Sequence, residues 1–171
     1  RTFRYFFEFL KQLEIIRPAN PTRFAIPRVG VLEDLSLVES FIDYRKSRVD
    51  EIDYYEKVYF NLTWGAASEL EVVRDMPVAI AKARNALWEH NLRFSEIESR
   101  DAGSSVRRAV FTIPRRIVTD VVVRPNQDEG TLDILTRNVM RLGADDFQIP
   151  AAEVTEAVLE EMRRADPKVH Y

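Results

Sequence analysis

The sequence predicts a mainly α-helical protein built around one long helix from about residue 34 to residue 74. Ser36, with Glu39 three residues later, has the pattern of a capping box at a helix start. Pro77 follows Asp75 as an N-cap and first-turn proline would, so the long helix should end near Arg74. Between these limits apolar residues recur at alternating steps of three and four, a seven-residue repeat typical of helices. They are Leu35, Val38, Ile42, Val49, Ile52, Tyr59, Ala66, Leu70 and Val73.

The length of this helix is the main functional indication. About 40 helical residues make a rod of roughly 60 Å. A compact chain of 171 residues has a radius of gyration of only about 15–16 Å. The helix should therefore either bend or project as an arm. A second apolar set, which predicts contact with more than one neighbouring helix, comprises Phe41, Tyr44, Tyr55, Val58 and Leu62.

A short aromatic helix should precede the long one, within residues 1–17. Its predicted docking face carries Phe3, Phe6, Phe7 and Leu10. This face packs either on the protein's own core or on another subunit or a membrane surface. Arg17 should end the helix because the residue before a proline disfavours the α conformation. Residues 18–31, with three prolines, should then form an extended connector.

The remaining segments complete a single helical unit. Residues 77–99 should form a second helix that either continues the first with a kink or folds back, so that 32–99 is a helical arm. Residues 102–126 are basic, and their β-branched runs predict at most a short extended pair near 109–123. Residues 127–171 should form a C-terminal helical pair, at 131–142 and 150–165, the first ended by Gly143.

Composition excludes several classes. The chain has no cysteine and a net charge of -3, so it has no thiolate metal site and is not a polyanion binder as a whole. No apolar run approaches the length of a membrane-spanning helix. The chain begins at Arg1 without methionine, which suggests an imported subunit, for instance of mitochondria.

The sequence offers no pattern for catalysis, a cofactor or a metal ion. Its two histidines, His90 and His170, do not lie in the paired Glu-x-x-His motifs of a helical di-iron site. Ser104 and Ser105 lack the glycine pattern and the strand-to-helix context of a nucleophile elbow. The five glycines are not grouped as in a phosphate-binding loop. We therefore expect no enzyme, no catalytic or metal-ligating residue and no small-molecule substrate.

The strongest candidate for a binding site is the basic segment. It contains Arg107, Arg108, Arg115, Arg116 and Arg124. Because arginine binds carboxylates and phosphates in two-point fashion, the segment predicts an anionic partner, such as an acidic protein surface, lipid headgroups or RNA. The alternative is internal pairing with the acidic long helix or with residues 127–171. Nucleic acid is the less favoured partner because only Phe111 is interleaved to stack bases.

Residues 65–97 resemble the helical repeats of outer-membrane efflux channels. The shared elements are Gly65, the stretch Ser68-Glu-Leu-Glu71, and the alanine-rich helix that follows. The resemblance covers about a fifth of the chain, and the aromatic helix and the proline-bounded segments do not fit it. Neither the function nor the site residues of that family are therefore carried over.

Three functional hypotheses follow. The first is a non-catalytic, mostly helical accessory subunit of a larger multi-protein assembly, with other protein subunits as its partners. The second is an anion-binding adaptor that uses the arginines from Arg107 to Arg124 on RNA or lipid headgroups. The third is a small helical enzyme without a recognisable motif. Salt-sensitive binding would support the second, and a deep pocket near His90 would support the third.

Overall fold

The chain is mainly β, so the prediction of a mainly α-helical protein is wrong. The computed structural model describes residues 2–100, 107–126 and 128–150, without the side chains of residues 2, 3, 5, 49 and 52–55. Of the described residues, 60% are in strands and 19% in helices. The predicted helix at 150–165 lies outside them.

The described residues form two helices and nine strands. The helices are α1 (Thr2–Ile16) and α2 (Pro77–Glu89). The strands are β1 (Ala19–Asn20), β2 (Phe24–Ile26), β3 (Gly30–Leu32), β4 (Leu35–Val49), β5 (Ile52–Arg74), β6 (Ser95–Arg100), β7 (Arg107–Asn126), β8 (Thr131–Arg137) and β9 (Ala144–Pro150). Neither of these helices is long and apolar enough to cross a membrane.

Seven strands form one curled antiparallel sheet, a half-barrel. Its order is β1-β4-β5-β7-β8-β9, and β6 also pairs with β7. Strand β5 occupies one edge of β7. The other edge is shared, because β6 pairs with residues 107–112 and β8 with residues 120–126. The strands β2 and β3 form a separate two-stranded ribbon.

The predicted long helix is instead the hairpin of β4 and β5. Its turn consists of Asp50 and Glu51, with φ of 52° and 65°, as a two-residue type I′ turn requires. The seven-residue repeat mixed residues from both faces of the strands: Leu35 is buried, whereas Val73 is exposed. The true signal has a period of two, since Phe60, Leu62 and Trp64 are buried on one face. Ser36 and Glu39, the expected capping box, pair with β5 inside the sheet.

Of the other predicted helices and strands, some are confirmed and some are wrong. The aromatic helix is confirmed as α1. A helix beginning at Pro77 is also confirmed, but it ends at Glu89, and part of the remaining predicted range is β6. The predicted helix at 131–142 is the strand β8 and a turn, and the extended pair near 109–123 is one strand, β7. The resemblance of residues 65–97 to helical repeats therefore does not extend to the fold.

The two helices and the β2–β3 ribbon cover one face of the sheet, which we call the inner face. The ring of Phe6 in α1 lies 5.1 Å from that of Phe60 in β5. At the other end of the sheet, Phe94, which follows α2, lies 5.9 Å from Phe111 in β7. The buried apolar side chains of these elements form one core cluster. We call the opposite side of the sheet the outer face.

Candidate functional site

Strand β7 divides the five arginines of the basic segment between the two faces. Successive side chains of a strand point to opposite faces. Arg107 and Arg115 are on the same face of the strand as the buried residue Ile113. Arg108, Arg116 and Arg124 are on the opposite face. Arginines eight residues apart on one face are separated by about 27 Å. The strand therefore presents no single arginine surface.

Four of these arginines contact groups of the same chain. Arg107 donates a hydrogen bond to Glu98, and Arg108 lies 3.7 Å from Asp75. Arg115 donates to Ser68 over 3.1 Å, and Arg116 donates to Glu39 over 3.1 Å. Arg124 is exposed and forms no ion pair with another described residue. Of these contacts, only the ion pair of Arg116 with Glu39 joins the basic segment to a carboxylate of the acidic region 34–74, with which internal pairing was predicted.

A charged cluster connects α2 to β6 on the inner face. Arg84 donates to Glu96 over 2.9 Å and to Glu98 over 3.1 Å, and Glu98 also accepts from Arg107. The Arg84 guanidinium lowers the pKa of the Glu96 carboxyl, mainly through the hydrogen bond, and Glu96 raises the pKa of Arg84 in turn. The cluster therefore stabilises the folded state when Glu96 is ionised.

This cluster predicts a dependence of stability on pH. Because the folded-state pKa of Glu96 is lowered, the folded protein binds fewer protons than the unfolded chain around the usual glutamate pKa of about 4.3. The stabilisation is complete above that pH and is lost as the pH falls through the folded-state pKa. We expect Glu96→Gln to flatten the decline in the free energy of unfolding below about pH 4.3.

Urea unfolding at a series of acidic pH values tests this expectation. The matched control is Glu8→Gln, which removes the charge of an exposed pair with Arg4 on α1. The control should follow the wild-type curve, because exposed pairs contribute little to stability. Equal slopes for wild type and Glu96→Gln would show that Arg84 does not stabilise the ionised carboxyl.

The predicted docking face of α1 lies mostly against the protein's own sheet. Phe6 and Leu10 are buried, with exposed fractions of 9% and 2%. Phe7 is exposed, and the Nζ atom of Lys11 lies 4.4 Å from the centre of its ring. The side chain of Phe3 is outside the described residues. The aromatic face therefore contributes chiefly to the core.

Of the four residues considered for catalysis, only His90 lies within the described residues, whereas His170, Ser104 and Ser105 lie outside them. His90 caps the C-terminal end of α2 and lines a cleft beside β7. Within residues 2–100, 107–126 and 128–150, no cluster of three or more acidic or histidine side chains could hold a metal ion.

The first candidate surface is an apolar row across the outer face, formed by Tyr59, Val122 and Leu135. Phe41 flanks this row, because it pairs with Asn61 and not with Tyr59. We call these four residues the outer-face patch. Tyr59 lies opposite Val122, which lies opposite Leu135 on the next strand. The rings of Phe41 and Tyr59 are 6.2 Å apart, and the Tyr59 hydroxyl donates to Asp43. Phe41 is 51% exposed and Leu135 is 43% exposed.

The second candidate is a cleft beside β7, in the interval between β6 and β8. We call this the β7 cleft; it has a volume of about 470 Å³. It is lined by the loop that follows α2, by β7 and by the end of β8, and its charged side chains are Arg93, Arg116, Arg137 and Asp120. Burial raises the pKa of the Asp120 carboxyl, and Arg137 opposite it lowers that pKa by less.

A polar network fixes the wall of this cleft. Trp64 donates from its indole nitrogen to the Thr119 hydroxyl over 3.1 Å, and that hydroxyl donates to the backbone oxygen of Asn138 over 2.6 Å. The Asn138 side chain donates to the backbone oxygen of Val118 and accepts from the amide of Gly143. Asn138, at a φ of 57°, therefore ties the end of β8 to β7.

Neither surface was predicted from the sequence. The outer-face patch could have been found from the alternation along β5, where Tyr59 and Asn61 lie between the buried residues Val58, Phe60 and Leu62. The β7 cleft had no such signal, because it depends on where three segments distant in sequence meet. Arg116 was predicted as a binding residue, but Arg93 and Arg137 were not.

The fold and these surfaces define a class of protein: an antiparallel half-barrel domain with helices on its inner face and an uncovered apolar row on its outer face. Comparison of the chain with protein-family models, with curated proteins and with solved structures gave no match. The outer-face patch and the β7 cleft are therefore the features that indicate a function.

Proposed function

We propose that the chain is a non-catalytic subunit of a larger protein assembly and that it binds a partner protein through the outer-face patch. The observation that carries the proposal is the outer-face row of Tyr59, Val122 and Leu135. The ring of Phe41 lies beside that of Tyr59, and both Phe41 and Leu135 are exposed. The solvated face of an antiparallel sheet is usually polar, and a contiguous apolar row on such a face is typical of an interaction site.

The surroundings of the patch support the same proposal. Arg45 and Lys57 lie on one side of the row, and Asp120 and Arg137 lie on the other. An apolar centre that contains aromatic residues, with a charged rim, is the usual composition of a protein interface. Tyr59 also combines an apolar ring with a hydroxyl group, a combination that is common at binding hot spots.

Substitution of the patch should abolish partner binding without unfolding the chain. In the double variant Phe41→Ser, Leu135→Ser, we expect loss of co-purification with the partner from the native source. Because both side chains are exposed, the free energy of unfolding of the isolated chain should change by less than about 1 kcal/mol. Affinity purification from the source, together with urea unfolding, measures the two quantities.

A second apolar row supplies a matched control. Ile97 on β6 is 69% exposed at the far end of the outer face. Ile97→Ser should leave co-purification unchanged, since this residue is outside the outer-face patch. Retention of every co-purified protein by the double variant would contradict the proposed function.

The other hypotheses remain predictions of the sequence. The anion-binding adaptor for RNA or lipid headgroups is not proposed from the five arginines, because β7 distributes them over two faces. A mitochondrial location, possible contact with a membrane surface, and the lack of catalytic residues and cofactors also remain predictions.

A further inference from the structure

The sheet has an unfilled interval along one edge of β7. Strand β6 ends its pairing at Thr112 and β8 begins at Asp120, so the seven residues 113–119 have no strand partner on this edge among the described residues. At about 3.4 Å per residue the interval is about 24 Å long. The β7 cleft occupies this interval. An unpaired strand edge is a template for another strand.

The backbone of β7 directs hydrogen-bonding groups to the cleft. In an antiparallel strand, alternate residues direct both backbone groups to the same edge. The backbone oxygen of Val118 faces this edge, because it accepts from the side chain of Asn138, directly after β8. The amide and the oxygen of Arg116, two residues earlier, therefore face it too. The side chains of β7 alternate through this stretch, since Ile113 and Ile117 are buried and Pro114 and Arg116 are exposed, and the register shift between Arg116 and Pro114 concerns the opposite edge, toward β5.

The charges of the cleft favour an acidic occupant. Arg93, Arg116 and Arg137 line it, against the single carboxylate of Asp120. Arg116 contacts Glu39, but both side chains of that pair are exposed, by 57% and 62%. Such an exposed pair contributes little free energy, so Arg116 can exchange Glu39 for a carboxylate of a ligand. Arginine binds carboxylates with charge-assisted hydrogen bonds.

We propose that the β7 cleft binds an extended acidic peptide segment of a partner protein, which adds a short strand to β7 between β6 and β8. The backbone of the peptide pairs with the amide and the oxygen of Arg116 and with the amide of Val118, and its carboxylates contact Arg116 and Arg137 on the outer face. Because side chains alternate along a strand, the favoured segment alternates acidic residues with small apolar ones. Recognition by strand addition combines backbone affinity with this side-chain pattern.

This inference deepens the proposed function, because it names a second contact with a protein partner, but it uses a different surface. The two proposals can fail separately. Phe41→Ser, Leu135→Ser should leave peptide binding unchanged, whereas Arg93→Gln should weaken it and leave the outer-face patch intact, because Arg93 lines the cleft and is outside the patch and its rim.

The test uses the full chain and a fluorescent synthetic peptide of sequence Thr-Glu-Val-Glu-Val-Thr, with fluorescence anisotropy as the measurement. The same peptide with lysine in place of glutamate should bind at least about tenfold more weakly, as should Arg137→Gln and Arg93→Gln with the acidic peptide. A third peptide, N-methylated at alternate backbone amides, retains the carboxylates but cannot pair as a strand, so it should not bind.

Hydrogen exchange measured by NMR locates the contact. The backbone amides of Arg116 and Val118 should exchange at least about tenfold more slowly with the acidic peptide bound than without it. Equal binding of the N-methylated peptide, or equal protection by free glutamate, would show a simple anion site and overturn the proposal. A dimer of the chain in which these two amides are already protected would also overturn it, because a second copy would then fill the interval.

Discussion

Replacement of Phe111 by alanine should lower the free energy of unfolding by about 3–5 kcal/mol. Phe111 is 0% exposed near the start of β7, and its ring lies 5.9 Å from that of Phe94. Strands β5 and β6 flank it on either side, at Val72 and Glu96. The substitution therefore leaves a cavity in the core that neighbouring strands cannot readily close. Urea or thermal unfolding of the isolated chain measures the change.

Phe41→Ala is the matched control, because it truncates the same side chain on the outer face. Phe41 is 51% exposed and contacts the ring of Tyr59, so we expect a loss of less than about 1 kcal/mol. The difference between the two variants tests the register of the sheet. A shift by one residue would exchange the two faces, and equal losses would contradict the described arrangement.

Thr119→Val should cost about 1–3 kcal/mol although it hardly changes the shape of the side chain. The valine cannot accept from Trp64 or donate to the backbone oxygen of Asn138, as the threonine does. Trp64 is 6% exposed, so its indole nitrogen loses its partner at a site shielded from water, whereas the backbone oxygen of Asn138 is only partly buried. A buried polar group without a partner costs about 1–3 kcal/mol.

The same substitution at Thr136 supplies the control. The hydroxyl of Thr136 makes one long contact of 3.5 Å with the oxygen of Asp145 at an exposed position, so Thr136→Val should be nearly neutral. Trp64 also reports on the network through its fluorescence, best measured in a Trp88→Phe background, since Trp88 is 61% exposed. Thr119→Val without a change in stability or emission would show that the bond to Trp64 does not stabilise the fold.

The two helices were predicted from the sequence because their signals are local. In α1, Phe6, Leu10 and Leu13 recur at helical spacing and are all buried. Pro77 fixes the start of α2, because proline suits the first turn of a helix. Such patterns depend on only a few neighbouring residues. Packing of the two helices against the sheet then stabilises the same local structure.

The long hairpin was mistaken for a helix because its apolar residues occur on both faces of the sheet. A strand with apolar residues on both faces can match a seven-residue repeat by chance, as Leu35, Tyr59 and Val73 did. The β-branched and aromatic residues of this region favour strands, and the alternation of buried residues from Val58 to Trp64 shows the correct period.

The sequence by itself determined the local elements: α1, the start of α2, the strand character of part of β7, and the residue types available for binding. Only the tertiary structure decided that β4 and β5 pair, which face of the sheet is covered, and that Arg93, Arg116 and Arg137 meet in one cleft. The physical reason is that pairing between strands satisfies backbone groups of residues far apart in the chain. The free energy of such pairing depends on burial by elements that no local pattern identifies.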